Sequence, residues 1–215
     1  MIGTNKTTLI GLTFAAATGC LAYVAVMFQF QSIDSENSIL ENSQVVFLAA
    51  AALGYFLIPP LQQDTRLINI AISLLCVSFA LRELDVEYFN IPDFFIVLGS
   101  GTGKKILLAV LWLALIVYSF AAISNKVVFI KQFVGSPIFA ILTVAFLLLL
   151  AGGAMDKNIF DISHARLLEE LAETNAYFII ALPVFVRAAH WMQQAIAASF
   201  STFIVMRQAA NQSDH

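Results

Sequence analysis

Charged side chains are scarce in this sequence. Asp, Glu, Lys and Arg make up only 12% of its 215 residues, whereas hydrophobic residues make up 60%. A typical soluble domain carries about 25% charged residues and needs them for its polar shell. The composition therefore excludes an ordinary soluble domain and predicts a protein embedded in a lipid bilayer.

Histidine and cysteine are also rare, which argues against several cofactors. Of the three histidines, His164 falls in a predicted loop, His215 is the last residue and only His190 approaches membrane depth. A haem held between two histidines needs two such residues, and a zinc hydrolase needs about three converging nitrogen or sulfur ligands. We therefore expect no haem, no metal and no other cofactor, and we interpret Cys20 and Cys76 as packing residues.

Long apolar runs account for the excess of hydrophobic residues. A helical span needs about 20 mostly apolar residues, and six runs meet that requirement without the alternation of β-barrel strands. The predicted fold is all-α, a polytopic membrane protein with six transmembrane helices in a single domain, residues 1–215. The predicted spans cover about 8–30, 44–61, 66–84, 105–123, 133–154 and 171–189, and a helical tail follows over about 190–207.

The connection between the third and fourth predicted spans, residues 82–104, is too apolar for an ordinary loop. It contains Tyr88, Phe89, Phe94 and Phe95 around Pro92. Aromatic rings are favoured at the membrane interface, so we expect this segment to lie along the membrane surface. The run Gly99–Lys105 lacks the spacing of a phosphate-binding loop and is expected to form a turn.

Acidic residues are segregated between the two sides of the predicted bundle. Six spans place both termini on one side, and twelve of the fourteen acidic residues then fall on the other. Lys and Arg are evenly divided, but Lys6 precedes the first span and the loop after that span has neither Lys nor Arg. Because the first span usually dominates orientation, we expect both termini on the cytoplasmic side.

Polar residues gather where three predicted helices reach the side opposite the termini. Ser78, Arg82 and Asp85 share a helix face, and Glu173 and Asn175 fall near the start of the last span. A charge at the bilayer centre costs about 2.5–3.5 kcal/mol, so such groups normally pair or face a cavity. The candidate polar cluster comprises Ser78, Arg82, Glu83, Asp85, Lys104, Asp156, Lys157, Arg166, Glu169, Glu170, Glu173 and Asn175.

Two interpretations of this cluster remain open from the sequence. In the structural one, Arg82 and Lys157 pair with Asp85, Asp156 and the glutamates, and these pairs tie the helix ends together. The glutamates near the start of the last helix would also complement its dipole. In the other, the cluster lines a cleft that binds a cation, a polar headgroup or a small substrate.

Three short motifs carry a resemblance to known proteins. Leu81–Asp85 ending one span, Asp156-Lys157 ending another and Glu169-Glu170-x-x-Glu173 opening the last resemble segments of small, uncharacterised multi-pass proteins of the bacterial inner membrane. The resemblance covers about residues 66–187 and implies that membrane as the location, with no established activity. Ser78 and Asp85 are also similar to the Ser and Asp of the alkaline ceramidase and progestin-receptor-like hydrolases, whose three metal-binding histidines are missing here.

Three functions are compatible with this pattern. The first is a structural or accessory membrane component, with the lipid bilayer and other membrane subunits as partners and no nucleic acid. The second is a small transporter or ion-binding protein that uses Glu173, Asn175 and Arg187, with Pro183 as a hinge. An intramembrane enzyme acting on lipid headgroups comes last, because no nucleophile with a neighbouring base is visible, and no catalytic residue is assigned.

Overall fold

The structure, a computed structural model, describes residues 39–57, 65–84, 90, 92–157 and 164–213. This part of the chain contains seven α-helices and no strand, as predicted for an all-α fold. The first predicted span, residues 8–30, and Asp85 lie outside the described residues. The helices are α1 (Ile39–Leu57), α2 (Thr65–Glu83), α3 (Asp93–Gly99), α4 (Gly101–Ala122), α5 (Lys126–Val134), α6 (Pro137–Asp156) and α7 (Ala165–Ser213).

Four of these helices are long and apolar enough to cross a membrane. The qualifying segments are Leu40–Leu57 in α1, Gly101–Ala122 in α4, Pro137–Asp156 in α6 and Ala165–Gln194 in α7. They overlap the predicted spans two, four, five and six. Helix α2 has the length of a span, 19 residues, but it is not among the four and carries charged residues at both ends.

Helix α5 lies where the hydropathy pattern predicts only a short connection. It begins after Asn125, whose side-chain oxygen accepts a hydrogen bond from the backbone N–H of Val128 at 3.1 Å. The next helix, α6, begins after Ser136, whose hydroxyl oxygen accepts from the N–H of Phe139 at 3.3 Å, and Pro137 follows in its first turn. Two local caps therefore make α5 a separate helix between α4 and α6.

The turn predicted over residues 99–105 is confined to Ser100, because residues 101–105 already belong to α4. Gly101 has a φ of +48°, in the left-handed region that favours glycine. A Cβ added at Gly103 would overlap the carbonyl oxygen of Val97, so the first turn of α4 passes directly against the end of α3. The glycines therefore permit a close approach of two backbones.

The last helix is much longer than a single span. Helix α7 has 49 residues, which at about 1.5 Å per residue is roughly 70 Å, against about 30 Å for the hydrocarbon core. It continues through Pro183, which lacks the N–H for one intrahelical hydrogen bond. The predicted last span and the predicted tail are therefore parts of one continuous helix.

Helix α7 is also the centre of the packing. It contacts α1 and α6 extensively, and α1 in turn packs against α2. Hydrogen bonds cross these contacts within the core: the Tyr55 hydroxyl donates to the carbonyl of Ile180 at 3.2 Å, and the Ser73 hydroxyl donates to the carbonyl of Ala52 at 2.8 Å. Small residues let the helices approach closely, and the resulting van der Waals contact contributes to helix association in lipid. The buried core includes Leu48, Ala51, Ala52, Tyr55, Ile72, Cys76, Ala145, Ala176, Tyr177, Ile180 and Ala181.

Helices α3 and α4 expose apolar side chains. None of the residues of α4 is buried against the rest of the described chain, and Leu113, Val117 and Phe120 are each more than half exposed. Phe94 and Phe95 of α3 are exposed to a similar extent. A surface of this kind is stable against lipid and unfavourable in water.

The contact between α1 and α7 can be tested at Gly54. A Cβ there would overlap Cγ1 of Val184 and lie 3.0 Å from its Cβ, and a change of the valine rotamer cannot relieve the second contact. We expect Gly54→Ala to destabilise the protein by about 1–3 kcal/mol, measured as a lower thermal unfolding midpoint in detergent. Gly153→Ala is the matched control, because a Cβ there meets nothing within 4 Å. Equal midpoints for the two variants would contradict this packing.

Candidate functional site

Polar side chains occupy two neighbouring faces of α7 near its start. Glu170 and Thr174 are four residues apart and lie on one face, and Glu173 and Tyr177 lie in the same way on the other. The first face meets α1 and the second meets the end of α2. We call this end of the bundle, where α2 ends and α7 begins, the Arg82 end.

The second face forms a closed network, the Arg82 cluster, made of Arg82, Glu83, Glu173 and Tyr177. Nη2 of Arg82 lies 2.6 Å from Oε1 of Glu173 and donates to the Tyr177 hydroxyl at 3.1 Å. Nε of Arg82 donates to Oε1 of Glu83 at 2.8 Å, and the Tyr177 hydroxyl donates to the same oxygen at 3.1 Å. The guanidinium of Arg82 therefore joins two carboxylates and a phenol.

Most of the Arg82 cluster is buried. Glu173 is 7% exposed and Tyr177 is fully buried, whereas the Arg82 side chain is 52% exposed. A Cβ on Gly152 of α6 would lie 3.3 Å from Cγ of Glu173, so α6 passes close to this side chain. Arg82 is consequently the most exposed member of the cluster.

The first face forms the Gln44 group, made of Gln44, Glu170 and Thr174. Nε2 of Gln44 donates to Oε2 of Glu170 at 2.7 Å and approaches the Thr174 hydroxyl at 3.2 Å and the Glu170 carbonyl at 3.3 Å. The Gln44 side chain is fully buried, and within the described residues its Oε1 has no hydrogen-bond partner. A buried amide oxygen in this state can accept a hydrogen bond from a further donor.

The charges of the two groups do not balance. Glu83, Glu170 and Glu173 supply three carboxyl groups, and Arg82 is the one cation that bonds to any of them within the described structure. Burial of an uncompensated charge is costly. The arrangement can therefore hold two helices together, and it also has the capacity to accept a proton or a small cation.

Three other predicted residues make contacts of their own between helices. Ser78 accepts a hydrogen bond from Nε1 of Trp112 at 3.1 Å, which links α2 to α4. Nζ of Lys104 donates to the carbonyl of Leu81 at 2.6 Å and so satisfies a carbonyl in the last turn of α2. Arg166 lies 3.8 Å from Glu41, a weak exposed ion pair between α7 and α1.

The remaining predicted residues lie outside the two networks. Asn175 donates to the carbonyl of Leu171 within α7 at 2.7 Å, and Glu169 is partly buried. Asp156 and Lys157 are exposed at the end of α6 and form no ion pair with any residue that the structure describes. The predicted pairing of Arg82 with the glutamates is present, whereas Lys157 is not seen to pair with Asp156 or the glutamates in this part of the chain.

Five participants were not among the predicted site residues: Glu41, Gln44, Trp112, Thr174 and Tyr177. Gln44 is a polar residue inside a predicted apolar span, which is an available signal. Thr174 and Tyr177 follow Glu170 and Glu173 by four residues and so share their helix faces. Nothing in the sequence distinguishes Trp112 from the other aromatic residues.

The ion pair between α2 and α7 predicts energetic coupling. We expect Arg82→Ala and Glu173→Ala each to lower the free energy of unfolding in detergent by roughly 1–3 kcal/mol, because each leaves a partly buried charge without its partner. The double variant should be less destabilised than the sum of the two by about 1 kcal/mol or more.

Arg166→Ala is the control for this double-mutant cycle. Its pair with Glu41 is long and exposed, so the free energy of unfolding should change by no more than about 0.5 kcal/mol. Strict additivity of the Arg82 and Glu173 substitutions would show that the two side chains do not interact.

Neither a metal site nor a related protein supplies a function. In the described ranges no group of three or more His, Cys, Asp or Glu side chains could hold a metal ion, and Cys76 is a buried free thiol. Comparisons with protein-family models, with curated proteins and with solved structures find no match for this chain. The function therefore has to be inferred from the geometry of the Arg82 cluster and the Gln44 group.

Proposed function

We propose that the protein is a structural or accessory component of a membrane, in which the Arg82 cluster and the Gln44 group lock three helices together. The observation that carries this proposal is the 2.6 Å ion pair between Arg82 and Glu173, which Tyr177 and Glu83 complete on either side. Every member of this network bonds to another member, as expected of a structural tie.

The bilayer gives such contacts their importance. Lipid chains are as apolar as the helix surfaces, so apolar contact alone does not select which helices pair. Directional bonds from α7 to both α1 and α2 make that selection. The exposed apolar surface of α4 then faces lipid acyl chains or other membrane subunits, the partners that we propose.

The proposed topology is a single domain of six spans in the bacterial inner membrane, with both termini cytoplasmic. It adds residues 8–30 and α2 to the four apolar helices and places α3 along the interface. The distribution of charge supports it: all seven described carboxylates lie at or near the Arg82 end. The opposite end carries Arg66, Lys126 and Lys131 and no described carboxylate, which is typical of a cytoplasmic face.

Single cysteines at the two ends of α4 test this topology. In a background with Cys20 and Cys76 replaced by Ala, we expect Thr102→Cys to react with an impermeant maleimide in intact cells. Ser124→Cys should react only in inside-out vesicles, because α4 separates the two exposed positions. The reverse pattern would contradict the orientation, and labelling of both from one side would contradict a spanning α4.

A second candidate is a small transporter or ion-binding protein, and one specific observation favours it. Three carboxyl groups face one guanidinium, and the buried Oε1 of Gln44 beside Glu170 lacks a partner among the described residues. Uptake of a proton or a cation would improve both the charge balance and the hydrogen bonding. In this alternative, Glu173, Asn175 and Arg187 line the route and Pro183 is the hinge.

Proteoliposomes distinguish the two candidates. For a structural role, we expect purified wild-type protein and Glu173→Gln to dissipate an imposed proton, sodium or potassium gradient no faster than protein-free liposomes. The charge swap Arg82→Glu with Glu173→Arg should recover thermal stability that either single reversal loses.

Glu169→Gln is the matched control in the flux assay, because Glu169 lies on the same helix outside both networks. Wild-type flux that Glu173→Gln abolishes and Glu169→Gln preserves would overturn the structural proposal in favour of transport. If the charge swap did not recover thermal stability, the structural proposal would lose its main support.

A further inference from the structure

A cavity of about 680 Å³ lies at the end of the bundle opposite the Arg82 end. It is lined by the first residues of α2, the last turn of α4 and the short helix α5. Its polar lining includes Arg66, Tyr118, Ser124 and Gln132, and its apolar wall includes Leu67 and Phe129. The cavity therefore combines one permanent cation, several hydrogen-bonding groups and a hydrocarbon surface.

The described charged residues at this end of the bundle are all cations. Arg66 is exposed and forms no ion pair with any described residue, and Lys126 and Lys131 lie on α5 beside it. The described carboxylates all belong to the Arg82 end. A guanidinium presents a planar fork of N–H donors that matches the oxygens of a phosphate.

The position of the cavity along the helices matches the depth of lipid headgroups. The apolar span of α4 ends at Ala122, and α5 begins four residues later with Val127 and Ile130 exposed. Tyrosine, lysine and arginine concentrate at the level where a span leaves the hydrocarbon. Basic pockets between membrane helices at that level are known to bind acidic lipid headgroups.

We propose that this cavity binds the phosphate-bearing headgroup of an anionic phospholipid. Arg66 pairs with the phosphate, Tyr118 and Gln132 donate hydrogen bonds to its oxygens or to the glycerol, and Leu67 and Phe129 contact the start of an acyl chain. The proposal rests on the membrane location and is independent of the role assigned to the Arg82 cluster.

Native mass spectrometry of the full chain in detergent tests this site. The probes are phosphatidylglycerol, phosphatidylcholine with the same acyl chains, and inorganic phosphate. We expect phosphatidylglycerol to bind at least about tenfold more tightly than phosphatidylcholine, because both carry the phosphate but the choline cation of the second is repelled by Arg66, whereas the glycerol of the first is uncharged. Arg66→Gln should abolish this preference.

Two further variants separate the cavity from general surface charge. Leu67→Trp narrows the cavity at its apolar wall without changing any charge, and it should also weaken lipid binding. Lys131→Gln removes a cation from the same end outside the cavity lining, so it should keep wild-type binding. A thermal unfolding midpoint equal to that of the wild type shows that each variant is folded.

Three outcomes would overturn the proposal. If Arg66→Gln and Lys131→Gln lost phosphatidylglycerol binding to the same extent, the binding would be due to general surface charge and not to the cavity. Undiminished binding in folded Arg66→Gln and Leu67→Trp would place the lipid elsewhere. The third outcome is that inorganic phosphate binds and requires Arg66, whereas phosphatidylglycerol does not bind. The cavity would then be a site for free phosphate and not for a lipid headgroup.

Discussion

The need of a buried carboxylate for a partner governs the arrangement of this bundle. Glu173 lies about two helical turns after the start of α7 and is only 7% exposed, and Arg82 meets it from α2. This bond fixes the rotation of α7 about its axis. Once Glu173 faces α2, Glu170 and Thr174 must face α1, where Gln44 receives them.

Helix type and the location of charge could be predicted from the sequence, because both follow from composition along the chain. Helix α4 was expected over 105–123 and covers Gly101–Ala122. Helix α5 was not expected, since the caps at Asn125 and Ser136 outweigh the apolar pattern around them. A hydropathy pattern contains little information about local hydrogen bonds of this kind.

The choice of partners within the candidate site could not be predicted for a different reason. Several acids fall at one end, and the sequence does not specify which of them Arg82 reaches. That choice depends on how closely the helices approach, and α6 passes so close to Glu173 at Gly152 that an added Cβ would lie 3.3 Å from its Cγ. Gln44 could not be assigned to the site from the sequence alone. An amide side chain within an apolar span does not by itself show that it bonds to another helix.

The sequence separation of these contacts determines when the bundle can form. Arg82 and Glu173 are 91 residues apart, and Gln44 and Glu170 are 126 apart. At a synthesis rate of about 5–20 residues per second, Arg82 emerges roughly 5–20 seconds before its partner exists. During that interval α1 and α2 are already made while their polar groups still lack α7. The insertion machinery, or water at the membrane edge, must satisfy these groups until synthesis of the last helix completes the bundle.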